Sequence, residues 1–196
     1  MVWPEIQFEA DDALASAAAQ SAGDHRVEQV FVCTPDKDLA QCVDGRRIVQ
    51  FDRRAATVRD AEGVRSKFGV IPESIPDFLA LTGDSADGFP GIRGWGAKSA
   101  STVLARYVHL EAIPSNAADW DVSVRGADRL ARNLVDARED ANLFLDLATL
   151  RKTLPVFDSV DELKWTGPEA SFFDICARMN ASGYFRRAQA IAKKIL

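Results

Sequence analysis

Three short acidic runs carry the chemistry that this sequence could perform: Glu9-Ala-Asp11-Asp12, Asp36-Lys-Asp38 and Asp84-Ser-Ala-Asp87. Asp36 and Asp38 stand two residues apart, so in extended backbone their side chains point to the same side. They directly follow an apolar run at residues 27–34 (VEQVFVCT), and open α/β sheets place ligands at the ends of such strands. Glu9 and Asp12 are three residues apart at a helix start, and Asp84 and Asp87 have the same spacing beside a glycine-rich turn. Carboxylates that converge repel one another unless some take up protons or a cation intervenes. Hard divalent cations such as Mg²⁺ or Mn²⁺ accept oxygen ligands and relieve that repulsion. Two such ions roughly 4 Å apart can activate water and stabilise the leaving oxygen in phosphodiester hydrolysis. Helix capping and solvation in loops are the plainer roles for any one of these runs, and spacing leaves both readings open.

A second motif is Gly91-Ile-Arg93-Gly94-Trp-Gly96-Ala-Lys98-Ser99. It is not a phosphate loop of the nucleotide-binding type, because Ala97 stands where GxxxxGK[ST] requires lysine. No nucleotide cofactor is expected. A tight hairpin between two helices fits better. Glycines let the backbone come close to a phosphate, and the start of the helix from Ala97 offers free N–H groups and partial positive charge. Arg93 and Lys98 add charge and Ser99 a hydroxyl. Such a device anchors a nucleic-acid backbone without reading bases, although an ordinary glycine-rich helix connection has the same spacing.

The elements that must hold these residues alternate in type over the first third of the chain. A helix is expected over residues 8–20, a doubly buried strand over residues 27–34, a helical start over residues 37–43 and a second strand over residues 47–51. That alternation predicts a parallel sheet with crossover helices. Further on the pattern is helical. Asp60 caps a helix over Ala61–Phe68 that Gly69 ends, and Pro72 opens one over residues 72–82. Helices follow over Ala97–Tyr107, residues 127–137 and residues 139–150, with two short ones in the tail. The expected organisation is a partial α/β core at residues 1–65, a helical region at 66–150 and a C-terminal helical tail at 151–196 packing on the core.

Composition narrows the function classes. The chain has 196 residues, 47% hydrophobic and 27% charged, which is ordinary globular composition. No apolar run is long enough to span a membrane, and the N-terminal residues are not a signal peptide. Three cysteines without metal-binding spacing point to a reducing, cytoplasmic setting, and two distant histidines leave little for a zinc site or a Ser-His-Asp triad. The net charge of −5 becomes +2 once the seven candidate metal acids are set aside, so the remaining surface is mildly basic. In the tail, Arg186, Arg187, Lys193 and Lys194 fall on one side of a helix, opposite Phe185, Ala188, Ile191, Ala192 and Ile195. That basic side is either a second phosphate-contacting stripe or a solvated helix face.

Taken in order, EADD, TPDKDL and PESIPDFLALTGDSADGFPGIRGWGAKSA resemble the 5′-nuclease (flap endonuclease) family, in particular the branch that includes the 5′–3′ exonuclease domain of bacterial DNA polymerase I. The resemblance runs from about Phe8 to Leu104 and is loose after about Glu111. It implies a PIN-like α/β nuclease core, here partial, with a helix–three-turn–helix DNA-binding region of the helix-hairpin-helix type. It also implies Mg²⁺- or Mn²⁺-dependent cleavage by two ions at 5′ flaps, nicks or free 5′ ends of duplex DNA, in replication or repair, with a DNA polymerase as a candidate partner.

By position, Glu9, Asp11, Asp36, Asp38 and Asp87 match the family's principal metal-site acids, the first four being assigned to catalysis. Asp12 and Asp84 match additional acids of the bacterial branch, and Gly94, Gly96, Lys98 and Ser99, with Arg93, match the duplex-gripping hairpin. Pro35, Gly88 and Trp95 depart from the family's usual residues. Only eight residues precede Glu9 where the family carries a longer segment, so weak cleavage by this chain and an exposed sheet edge are expected. A non-catalytic DNA-binding remnant is the alternative reading. A PIN-type ribonuclease is disfavoured, since it would have no need of the hairpin.

Overall fold

The computed structural model describes residues 2–3 and 7–195, which divide into two units, residues 2–156 and residues 157–195. The first unit opens with helix α1 (Ala10–Gly23), whose alanines lie against the sheet. Among the described residues the sheet has three strands: β1 (Val30–Val32), β2 (Ile48–Asp52) and β3 (Thr57–Arg59). β1 and β2 pair in parallel, as alternation predicted. β3 pairs antiparallel to β2, which makes the sheet mixed rather than parallel. The short turn between β2 and β3 explains this, because adjacent strands joined by a few residues must run antiparallel.

The strand expected over residues 27–34 is shorter than predicted and is not buried on both faces. Val32 packs under α1, while Phe31, on the opposite face, is 50% exposed. The helical start after β1 is a single 3₁₀ turn at Asp38–Cys42. Asp60 accepts a hydrogen bond from the Gly63 amide to start α2 (Ala61–Phe68), and Gly69 ends it in the left-handed region, as the sequence indicated.

The helix expected over residues 72–82 divides. A 3₁₀ turn covers Pro72–Ser74 and α3 covers Ile75–Thr82. Pro76 is the cause: it has no N–H to bond back to Pro72, so it is tolerated only in the first turn of a helix. α4 (Ala97–Tyr107), α5 (Ala127–Asp136) and α6 (Arg138–Ala148) complete the unit around α3. Their shared core includes Ile75, Leu79, Leu81, Val103, Leu104, Leu110 and Leu130, each at most 2% exposed.

The unit of residues 157–195 pairs α7 (Ala170–Arg178) with α8 (Ser182–Ile195). Phe185 of α8 meets Phe172 and Phe173 of α7, with ring centroids 6.2 and 5.1 Å apart. Among the described residues no helix is long and apolar enough to cross a membrane.

Candidate metal centre and phosphate-binding hairpin

The loop after β1 is built to present carboxylates. Thr34 Oγ1 accepts the Asp36 amide at 3.1 Å, and the Asp36 carboxylate accepts the Asp38 amide at 3.4 Å. From below, Gln50 of β2, fully buried, donates through Nε2 to the Asp36 carbonyl and accepts from Arg59 Nη1 at 3.1 Å. Sequence reasoning overlooked Gln50. The available signal was an amide in the middle of the apolar strand RIVQF, since a polar side chain buried in a sheet must have partners.

The second acidic segment is a closed turn. Asp84 and Phe89 exchange backbone hydrogen bonds at 2.9 and 3.0 Å. At its base Gly83 (φ +82°) and Gly91 (φ +71°) lie so close that a Cβ on either would collide with the other strand's backbone, so both positions require glycine. Phe89 stacks on Phe144 of α6 with centroids 5.6 Å apart, which fixes the turn to the helical core.

These two segments bring Asp38, Asp84 and Asp87 together, with one carboxylate oxygen of each within 4.8 Å of the others. Asp38 and Asp84 are buried, at 7% and 2% exposure. The Asp38 carboxyl is pushed up to about 8, first by burial, then by the hydrogen bond and charge of Asp87 and the charges of Asp36 and Asp84. Its Oδ1 is buried with no hydrogen-bond partner. Asp84 stays below the usual carboxylate range. Burial works against it, but the Lys37 ammonium 2.6 Å away and the Ala86 amide at 3.0 Å prevail. Asp11 is raised by burial and then by Asp36, Glu9, Asp87 and Asp12, which ties the start of α1 electrostatically to the same cluster.

The seven candidate acids are therefore not equivalent. Asp12 is engaged in structure: one oxygen accepts the Glu9 amide at 3.2 Å and the other the Arg151 amide at 2.7 Å. Glu9 occupies the N-cap of α1. Asp38, Asp84 and Asp87 form the tight group, with Asp36 and Asp11 acting on it through charge. An unpartnered buried oxygen, a carboxyl pushed up by burial and by neighbouring carboxylates, and an all-oxygen donor set fit a hard divalent cation.

The glycine motif forms a hairpin entering α4. Gly94 has φ +85°, and a Cβ there would press on Asn133 Nδ2 at 3.3 Å. Asn133 Nδ2 in turn donates to the Arg93 carbonyl at 2.6 Å. Trp95, the departure from the family pattern, anchors the hairpin. It is 7% exposed, donates from Nε1 to the Leu130 carbonyl at 3.2 Å and lies 6.0 Å from the Trp120 ring.

Ser99 is engaged within the start of α4. Its hydroxyl accepts the Gly96 amide at 3.0 Å and bonds the Gly96 carbonyl at 2.9 Å, closing the first turn. Gly96 is extended (φ −137°), with open space where a Cβ would stand. The first amides of α4 have no intrahelical partner. A cavity of about 630 Å³ lies there, lined by Gly94, Gly96, Ala97, Lys98, Ser99 and Thr102, with Ser123, Val124 and Arg125 as well. Arg125 is a cation that the sequence reading did not place at this site.

Comparison with known proteins identifies the family of the chain. Residues 2–69 match the family model described as 5′-3′ exonuclease, N-terminal resolvase-like domain. Residues 70–171 match 5′-3′ exonuclease, C-terminal SAM fold. The chain is 37% identical to DNA polymerase I of Pseudomonas aeruginosa over 163 residues, covering 79% of this chain and 17% of that protein. It is 35% identical to a 5′-3′ exonuclease of Aquifex aeolicus over 162 residues, covering 83% of this chain and 52% of that one. The chain thus spans about half of the exonuclease and a smaller part of the polymerase. Among solved structures, a T5 5′-exonuclease with bound zinc superposes with a TM-score of 0.62 at 19% identity, covering 76% of this chain and 52% of that one. A T5 flap endonuclease in a complex with DNA and metal ions gives a TM-score of 0.61 at 16% identity, covering 97% and 62%. These structural matches show that the chain shares the fold of the two T5 proteins. With buried carboxylates gathered at the strand end and a glycine hairpin entering α4, the chain belongs to the 5′-3′ exonuclease family.

Proposed function

We propose that this chain hydrolyses phosphodiester bonds of DNA at 5′ flaps, nicks or free 5′ ends, using Mg²⁺ or Mn²⁺. The observation that carries the reading is Asp38: a buried carboxyl whose Oδ1 has no hydrogen-bond partner, within reach of Asp84 and Asp87. Asp38, Asp84 and Asp87 would hold an ion, and Asp36, Asp11 and Glu9 supply the further carboxylates for a second. Such ions, when bound, would supply activation of water and stabilisation of the leaving oxygen. The protein's own part is positioning. Gln50 and Thr34 fix the Asp36–Asp38 loop, the Gly83–Gly91 contact fixes Asp84 and Asp87, and the Gly94–Ser99 hairpin with Lys98, Arg93 and Arg125 holds the duplex backbone. Asp12 serves as a structural brace between α1 and residue 151. The polymerase relatives support a cytoplasmic role in replication or repair, alongside a polymerase.

The test is cleavage of a 5′-flap duplex, a matched RNA and single-stranded DNA, each with Mg²⁺, Mn²⁺ or EDTA. Metal-dependent release of 5′ fragments from the flap duplex, lost in Asp38→Asn, is expected. Duplex binding without cleavage in either metal would establish a DNA-binding protein that lacks the nuclease activity, and preferential RNA cleavage would establish a ribonuclease.

A further inference from the structure

Lys37 lies between two acids of the cluster in sequence, yet its ammonium reaches across to the other acidic segment. Its Nζ is 2.6 Å from Asp84 Oδ2, and the Asp84 side chain is only 2% exposed. Asp84 Oδ1 accepts the Ala86 amide, so each oxygen of Asp84 already has a partner and a cation drawn to Oδ2 must compete with Lys37 for it. The lysine is well suited to yield. An ammonium is a compact point charge on a flexible stem, and Lys37 is more than one-third exposed. It borders a cavity of about 470 Å³ with Thr82, Gly83, Ser85 and Gly88, next to the Asp84–Phe89 turn. Because its backbone is fixed between Asp36 and Asp38, a displaced ammonium remains beside the cluster.

We propose that Lys37 is the resident counter-ion of the carboxylate cluster, seated on Asp84 when no divalent ion is bound and released by that ion to hold a phosphate of the DNA. This rests on the nuclease reading and deepens it. One positive charge cannot neutralise four carboxylates, which agrees with Asp38 remaining raised in its presence. A divalent ion supplies more charge in the same space and frees the lysine at the place where phosphate arrives. Lys37 is thus a positioning residue with two seats, and metal decides which one it takes.

The experiment compares the parent with Lys37→Met, and with Lys37→Gln should the first fail to fold by circular dichroism. Mn²⁺ affinity is measured by calorimetry without DNA. Binding to a nicked duplex is measured across a salt series in EDTA and in Ca²⁺. With no Lys37–Asp84 ion pair left to break, Mn²⁺ binding should tighten by about fivefold, the attraction of two unit charges ~4 Å apart in a water-like dielectric. In Ca²⁺ the slope of log affinity against log salt should fall by about one phosphate contact, whereas in EDTA it should not change. Unchanged or weaker Mn²⁺ binding would overturn the competition. An equal loss of slope in EDTA would overturn the two-seat arrangement, since the ammonium would then reach phosphate without metal. A parent that binds no Mn²⁺ would remove the metal reading itself, an outcome distinct from a parent that binds and a variant that binds no better.

Discussion

At the carboxylate cluster, Asp38 and Asp84 are almost wholly buried and like charges face one another, with Lys37 as the cation in contact. At the hairpin, Lys98 and Gly96 are exposed, the backbone opens on a cavity, and the buried Ile92 and Trp95 pack into the core. In the proposed reading each region takes a ligand, but their cost to the free protein differs. The cluster is an electrostatic load on the fold that a cation relieves. The hairpin is an ordinary, well-packed connection whose binding groups are already satisfied or in water. The carboxylates are forced together by the fold, whereas the hairpin groups proposed to meet a phosphate are only left uncovered.

The largest effect should come from Asp38→Asn. It removes an oxygen of the proposed ion site, so cleavage should drop by at least about a hundredfold, as for loss of a group that fixes the reacting geometry. Relief of repulsion should leave the melting temperature in EDTA unchanged or higher. Addition of Mg²⁺ should then raise it less than in the parent, because ligand binding stabilises by RT ln(1 + [L]/Kd) and the variant would have the larger Kd. Equal metal-induced shifts in the two proteins would remove Asp38 from the cluster's function.

Trp95→Ala applies the reverse test. It leaves the cluster alone and takes away the hairpin's anchor on Leu130 and Trp120. Truncation of a buried tryptophan should lower stability by about 3–5 kcal/mol, measurable in urea, with loss of duplex affinity even where the protein remains folded. Full affinity in the folded variant would mean that the hairpin keeps its form without the anchor.

The two regions were unequally legible in sequence. The hairpin and the helices around it follow from local rules: α4 has the predicted limits, Asp60 and Gly69 bound α2, and glycine stands where φ is positive at 94. The acids were legible as a set, because their types and spacing mark them. Their division of labour was not. Asp12 turns to the Arg151 amide, 139 residues away. Gln50 supports Asp36 from a neighbouring strand, and Lys37 crosses to Asp84. Each of these depends on a long-range contact that no local pattern encodes. The antiparallel β3 escaped for a similar reason, since Thr57–Arg59 becomes a strand only by pairing with β2.

A smaller effect separates the regions by pH. In EDTA the folded chain keeps the Asp38 proton up to about pH 8, while an unfolded chain releases it near 3.8. Between those values the folded state binds more protons, so stability should fall as pH rises through that window. Asp11, also raised, acts in the same direction. Asp84 acts oppositely: its lowered value contributes stability above the ordinary 3.8 that is lost on acidification below it. Asp38→Asn should therefore reduce, without abolishing, the decline between about pH 4 and pH 8 in urea midpoints, whereas Lys98→Ala should leave it as in the parent. Parallel curves for the parent and Asp38→Asn would place the excess proton elsewhere.

The smallest effect on the fold, and the most direct probe of the hairpin, is expected at Lys98. The side chain is exposed at the first turn of α4, and alanine is a good helix residue. Stability should therefore stay within about 0.5 kcal/mol of the parent. Binding should weaken about equally on every duplex sequence, with the slope of log affinity against log salt reduced by about one, because a phosphate contact carries no base information. Gly96→Val sharpens the point. Its backbone is extended and nothing stands where the new Cβ would go, so the fold has no objection to the side chain. A close-approaching phosphate would. Gly94→Val is the poorer probe, since φ +85° and the Asn133 contact make folding itself suffer. Loss of duplex affinity in Gly96→Val at unchanged melting temperature would therefore report the phosphate directly. Retained affinity in both Lys98→Ala and Gly96→Val would move the DNA contact off the hairpin.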